Sequence, residues 1–232
     1  MNAALILSGG TGTRLGADIP KQYIEVFGRN IISYCIEKLS AHEKIDAIQI
    51  VAEEKWQIEL RKWLEIYDLK NKFKGFSKPG VNRQMSILNG LEDINGYAAE
   101  EDAVLIHDAA RPLLSEKQIT ACIMGMEGCD GVLPVLPMKD TVYMSLDGKQ
   151  VSSLLNRSSI FAGQAPECFV FGKYLEANRR LLPDKILEIN GSTEPAVMAG
   201  MNIAMIPGDE NNFKITTQAD LIRFQKIVCE RG

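Results

Sequence analysis

The chain has 232 residues, 46% of them hydrophobic, enough to bury a substantial core without help from disulfides or metal. Its 26 basic and 30 acidic residues leave a formal charge of -4, so there is no global attraction to nucleic acid or to an anionic membrane, and any basic site must be local. The 5 cysteines (Cys35, Cys122, Cys129, Cys168 and Cys229) include no CxxC pair, and the opening residues lack the basic flank and long apolar run of a signal peptide or membrane span. These features predict a cytoplasmic protein with reduced, buried and inert thiols.

The first apolar run, Ala3 to Leu7, reads as a buried strand. It leads into Ser8-Gly9-Gly10-Thr11-Gly12-Thr13-Arg14-Leu15-Gly16, followed by Pro20-Lys21-Gln22-Tyr23. The Walker A spacing is absent, and the Rossmann GxGxxG pattern would need glycine where Leu15 stands. What remains is a loop of small residues whose backbone N–H groups can approach an anion, with Arg14 and Lys21 beside it. The same segment also fits a glycine-rich turn carrying two ordinary surface cations.

Helical periodicity over Ile31 to Leu39, an apolar run over Ile45 to Ala52 and a second helical pattern over Trp56 to Tyr67 come next. Gly80-Val81-Asn82-Arg83-Gln84-Met85-Ser86 then reads as a glycine turn opening a helix over Met85 to Ile94, with Arg83 and Ser86 on one early face. Free N–H groups at such a start suit either a polar ligand or plain capping. The strand Ala103 to His107 ends in Asp108-Ala109-Ala110-Arg111-Pro112. An acid at the carboxyl end of a strand stands where α/β proteins place function, and Asp108 can serve as a magnesium ligand beside a triphosphate. An Asp108–Arg111 structural ion pair is the alternative.

A fourth strand is expected over Gly131 to Leu136. The pattern then breaks at Asp140 to Ser153, where two short runs flank Asp147-Gly148, the signature of a type I′ hairpin. This predicts an inserted β-arm at about 139–160, docking on the body or on a second subunit. Asn190 to Pro195 reads as a helix start, and Thr217 with Asp220 caps a final helix whose apolar face is Leu221, Phe224 and Val228. Strands alternating with helices give an α/β fold with a mostly parallel twisted sheet in one domain spanning 1–232.

Other chemistries find little support. The 2 histidines, His42 and His107, form no HExxH or Cys/His cluster, and His107 within a strand reads as a hydrogen-bonded core residue. Ser8, Ser86 and Ser115 lack a GxSxG elbow.

The ordered set GGTGTRLG, PKQY, GVNRQMS, HDAARP, KDT, NR, GQAPECF and KITT resembles the 2-C-methyl-D-erythritol 4-phosphate cytidylyltransferases and the closely similar ribitol-5-phosphate cytidylyltransferases, over essentially the whole chain. The resemblance implies a Rossmann-like nucleotidyltransferase fold holding CTP. Ser8, Gly9, Gly10 and Thr11 would lie near base and phosphates, and Gly80, Arg83 and Ser86 near cytosine and ribose. Arg14, Lys21 and Lys214 would be the catalytic cations. Asp108 would orient Mg2+ and substrate, and Arg111, Thr141 and Arg157 would surround the sugar-alcohol phosphate. It further implies a homodimer formed through the arm, which can add contacts across the interface. The reaction would be in-line attack of the acceptor phosphate on the α-phosphorus of CTP, releasing pyrophosphate.

Two stretches depart from the family pattern: Thr193-Glu194-Pro195, where Thr-Asp and a further acid are usual, and Gln164-Ala165-Pro166-Glu167, where QTPQ is usual. HDAARP and Tyr23 look like the methylerythritol enzymes, whereas GGTGTR, NR and GQxP look like the ribitol enzymes. Methylerythritol phosphate is the first expectation and ribitol 5-phosphate the second. A sugar-phosphate nucleotidyltransferase or glycosyltransferase would favour a DxD motif, which is absent, and a non-catalytic nucleotide-binding regulator would be expected to lose one of the three cations.

Overall fold

The computed structural model describes residues 1–10 and 19–231. In chain order the elements are β1 (Asn2–Leu7), a short β2 (Glu25–Val26) and β3 (Arg29–Asn30) ribbon, α1 (Ile31–Ala41), β4 (Ala47–Val51), α2 (Glu54–Tyr67), β5 (Phe73–Ser77), α3 (Arg83–Ile94) and β6 (Ala103–Asp108). The second half comprises α4 (Glu116–Met124), β7 (Gly131–Pro137), β8 (Val142–Met144), β9 (Ser153–Leu155), β10 (Phe161–Gly163), β11 (Glu167–Val170), α5 (Phe171–Arg179), α6 (Glu194–Met198), β12 (Ile203–Pro207) and α7 (Gln218–Arg231).

The main sheet runs β5-β4-β1-β6-β11-β7-β12, with β10 on the same flank of β7 as β11. All pairings are parallel except those of β10 and β11, which run against β6 and β7. β1 shows why its sequence is apolar throughout. Ala4 and Ile6 face a core built with α1, α2 and α4, whereas Ala3 and Leu5 face another built with α3, α5 and α6. A strand covered on both faces has no polar side to display.

Helix α3 comes close enough to β1 that a Cβ on Gly90 would lie 2.5 Å from a Leu5 methyl carbon. A third cluster, Val26, Ile31, Leu113, Ile215, Leu221 and Phe224, fastens α7 and the segment before it. The start of α7 is capped as expected: the Asp220 carboxylate accepts from the backbone N–H of Thr216 and Thr217, and the Thr217 hydroxyl accepts from the Asp220 N–H.

The arm is present but its turn differs from the expectation. β8 and β9 pair Val142 with Leu155 and Met144 with Ser153, leaving an eight-residue connection, 145–152, in place of a two-residue turn. Gly148 takes a positive φ of 70°, but Asp147 does not, so the type I′ geometry cannot form. The Asp147 carboxylate instead accepts from the N–H groups of Lys149 and Gln150, closing a wider turn.

All five cysteines are free; Cys35, Cys122 and Cys168 are buried and Cys129 half-buried, but Cys229 is exposed on α7, contrary to the expectation of uniform burial. Among the described residues no helix is long and apolar enough to cross a membrane.

Candidate active site

A cleft of about 510 Å³ crosses the carboxyl ends of β6, β1 and β4 and the loop after β5. Its walls begin with the glycine loop. The N–H of Ser8 continues the strand pairing to Val51 O at 2.9 Å, while the Ser8 hydroxyl donates to the Tyr23 hydroxyl at 2.8 Å. Gln22 clamps the turn by donating its side-chain amide to both Ser8 O and Gly10 O, at 2.7 and 2.8 Å. Burial raises the Tyr23 hydroxyl to about 12, keeping it a neutral hydrogen-bonding group.

Glycine is sterically required at two points. A Cβ on Gly9 would stand 2.8 Å from Pro79 Cβ, and one on Gly80 would stand 2.3 Å from Met85 Cβ. The first contact seats the glycine loop against Pro79, and the second folds the Gly80 turn tightly onto the start of α3. The Gly80 turn is held by the Ser86 hydroxyl, which accepts from Gly80 N–H at 3.0 Å and donates to Asn82 O at 2.9 Å. Asn82 caps α3 by accepting from Met85 N–H.

At the end of β6 the nearly buried Asp108 gathers three cations: Arg83 Nη2 at 3.0 Å, Lys214 Nζ at 3.0 Å and Arg111 Nε at 3.5 Å. Burial would raise this carboxyl, but Arg83, Lys214 and Arg111 together outweigh it and hold the group far below the usual carboxylate range. Lys214 is delivered by a strap. Ile215 N–H donates to Ala110 O at 2.9 Å and Arg111 Nη1 donates to Asn212 O at 2.8 Å, so the segment before α7 is laced to the turn after β6. His107, fully buried, supports that turn through an Nε2 contact with Arg111 O at 3.1 Å.

The structure thus brings together Gly9, Gly10, Lys21, Gly80, Arg83, Ser86, Asp108 and Lys214 around one cleft. Ser8 lies just behind, its side chain committed to Tyr23. Thr11 and Arg14 lie outside the described residues. Three placements differ from the expectation. Arg111 braces Asp108 and Asn212 from behind and is absent from the cleft lining. Thr141 and Arg157 line a separate groove on the arm, where Arg157 donates to Lys139 O at 2.7 Å, because the arm carries them away from the cleft.

Sequence reasoning assigned no role to Gln22 and overlooked Glu53, which lines the cleft directly after β4. The signal for Glu53 was its position immediately beyond an apolar strand run. Among the described residues there is no group of three or more His, Cys, Asp or Glu side chains able to hold a metal. A single carboxylate such as Asp108 suits only a magnesium ion that arrives with phosphate oxygens supplying most of its ligands.

A doubly wound, mostly parallel sheet with a glycine-walled, cation-rich cleft at its carboxyl edge defines a nucleotide-binding α/β protein. The family model described as IspD, 2-C-methyl-D-erythritol 4-phosphate cytidylyltransferase, matches residues 2–230. A 2-C-methyl-D-erythritol 4-phosphate cytidylyltransferase of Syntrophotalea carbinolica is 34% identical, covering 98% of this chain and 96% of that protein. A ribitol-5-phosphate cytidylyltransferase of Streptococcus agalactiae is 31% identical, covering 100% and 96%. A 4-diphosphocytidyl-2C-methyl-D-erythritol synthase of Anaerococcus prevotii shares the fold with a TM-score of 0.83 at 23% identity, covering 98% and 95% of the two chains. The chain belongs to the 2-C-methyl-D-erythritol 4-phosphate cytidylyltransferase family of nucleotidyltransferases.

Proposed function

We propose that the protein transfers the cytidylyl group of CTP to 2-C-methyl-D-erythritol 4-phosphate, releasing pyrophosphate in a step of isoprenoid precursor synthesis in the cytoplasm. The observation that carries the reading is the convergence of Arg83, Lys214 and Arg111 on Asp108 at one end of a glycine-walled cleft that also contains Lys21. An acceptor phosphate oxygen attacks the α-phosphorus of CTP, and the bond to the bridging oxygen breaks as pyrophosphate leaves on the opposite side. Negative charge gathers on the α-phosphate and leaving group, so the work of the protein is positioning and electrostatic stabilisation. Lys21 and Lys214 supply fixed positive charge at the cleft, and Arg14, from the glycine loop, is assigned the same role. A magnesium ion bound with the triphosphate would neutralise its oxygens, and Asp108 is the carboxylate assigned to hold it.

Thr141 and Arg157 are assigned to the acceptor. Their place on the arm favours a homodimer in which the arm of one copy serves the cleft of the other. The exposed apolar groups Tyr143, Met144, Leu146, Val151 and Leu154 support that assembly. A second acceptor, ribitol 5-phosphate, is favoured by the 31% identity to the streptococcal protein over the whole chain.

The test is magnesium-dependent pyrophosphate release from CTP with each acceptor supplied separately, compared as kcat/KM. Preference for methylerythritol phosphate is expected. Preference for ribitol 5-phosphate would move the protein to the second reading. CTP binding with no release from either acceptor would favour a nucleotide-binding regulator.

A further inference from the structure

The glycine loop rests on a platform with anchors of its own. Pro20 is followed by a short 3₁₀ turn, Lys21–Tyr23, and the buried Asn30 side-chain amide ties it down by donating to Tyr23 O at 2.8 Å. The Tyr23 ring stacks on Trp56 in the first turn of α2, with 4.3 Å between centroids. From this platform the buried Gln22 side chain reaches the loop, and its amide nitrogen donates to both Ser8 O and Gly10 O. Oriented the other way, the amide would set its own oxygen against both carbonyls, so its direction is fixed.

Holding a carbonyl also aims the N–H on the other side of the same peptide bond. A trans peptide turns its N–H opposite to its C=O, so with Ser8 O held on Gln22 the N–H of Gly9 is turned away from Gln22. That N–H makes no hydrogen bond among the described residues, and Gly9 and Gly10 line the cleft. The two carbonyls differ in what else holds them. Ser8 O also accepts from the Tyr23 hydroxyl at 3.1 Å, whereas Gly10 O has Gln22 as its single donor among the described residues. Without that donor the Gly10 carbonyl is drawn to the water of the cleft, where it meets an incoming phosphate with like charge.

We infer that Gln22 is a positioning residue that keeps the carbonyls of the glycine loop turned inward, so that the loop presents N–H groups to the phosphates of the bound nucleotide. It acts through the backbone of Ser8 and Gly10 rather than on the phosphate itself. The inference rests on the triphosphate reading of the cleft and extends it. Lys21 brings the charge of its ammonium, and the next residue in the chain decides which end of the backbone dipoles the same phosphates meet.

The experiment uses Gln22→Met, which keeps an unbranched buried side chain but has no donor, and Gln22→Glu, whose ionised carboxylate only accepts. Calorimetry gives Kd for inorganic triphosphate, CTP and cytidine with magnesium present, below the melting temperature of each protein. Both variants should bind inorganic triphosphate and CTP about tenfold or more weakly, with Gln22→Glu the worse, while affinity for cytidine changes by less than about twofold. A merely structural role moves cytidine and triphosphate together. Equal losses for all three ligands, or unchanged triphosphate affinity in Gln22→Met, would overturn the inference. If wild-type protein releases no pyrophosphate from CTP with either acceptor but the variants still lose triphosphate and keep cytidine, positioning by Gln22 stands and the transfer reaction fails.

Discussion

Asp108 and Glu167 share the neighbourhood of Arg83 and Arg111, yet their acidities move in opposite directions. Glu167 is buried on β11, and burial raises it despite the pull of the two arginines. Its ordinary value is 4.5, so the folded state keeps this proton to higher pH than the unfolded chain does, and stability falls as pH rises from about 4.5 through the folded value. Glu167→Gln, which restores the amide usual in the family, should flatten that fall. Urea unfolding across the pH range checks it, and identical slopes would refute the assignment. His107 works on the acid side. Burial lowers it from 6.5 to about 4, so stability is full above about 6.5 and about 3 kcal/mol is lost as pH falls to 4, a loss absent from His107→Gln. At the cleft itself, Lys21→Ala should lower kcat/KM for pyrophosphate release by about a hundredfold with little change in melting temperature. Near-normal turnover would remove Lys21 from the catalytic set.

At the scale of elements, the Gly80 turn and the first residues of α3 form one unit, because Gly80, Asn82, Met85 and Ser86 bond to one another. Gly80→Ala drives a Cβ to 2.3 Å from Met85 and 2.8 Å from Ser86 N, so the turn must shift. The expected result is weakened CTP binding by about tenfold or more together with a lower melting temperature, measured by calorimetry and thermal unfolding. β1, β4, β6 and β7 were legible in the sequence because they are buried on both faces and read as apolar runs. β5 and β12 were not: Lys74 and Gly75 interrupt β5, and both strands lie at sheet edges where one flank is unpaired. β11 was hidden for another reason, since it begins with the acid Glu167 and spans only 4 residues. The site was legible wherever a motif follows a strand directly. The Asn212–Ile215 strap stood out through the family resemblance, which marks KITT and Lys214, and not through its own composition, since its partners Ala110 and Arg111 lie about a hundred residues earlier in the chain.

For the whole molecule, the arm offers the clearest test of assembly. Tyr143 and Leu154 are paired across β8 and β9 and are 58% and 65% exposed. Replacing both with aspartate should yield a monomer by sedimentation while leaving the body folded, and a persistent dimer would place the interface elsewhere. Asp108 has a consequence for how a ligand first arrives. The chain as a whole is negative, and one carboxylate already partly cancels the three cations around it. Long-range steering of a triphosphate is therefore weak, and its capture depends on contacts made after collision. Rapid-mixing measurements should find an association rate that changes little with ionic strength, with most of the salt sensitivity in the rate of escape.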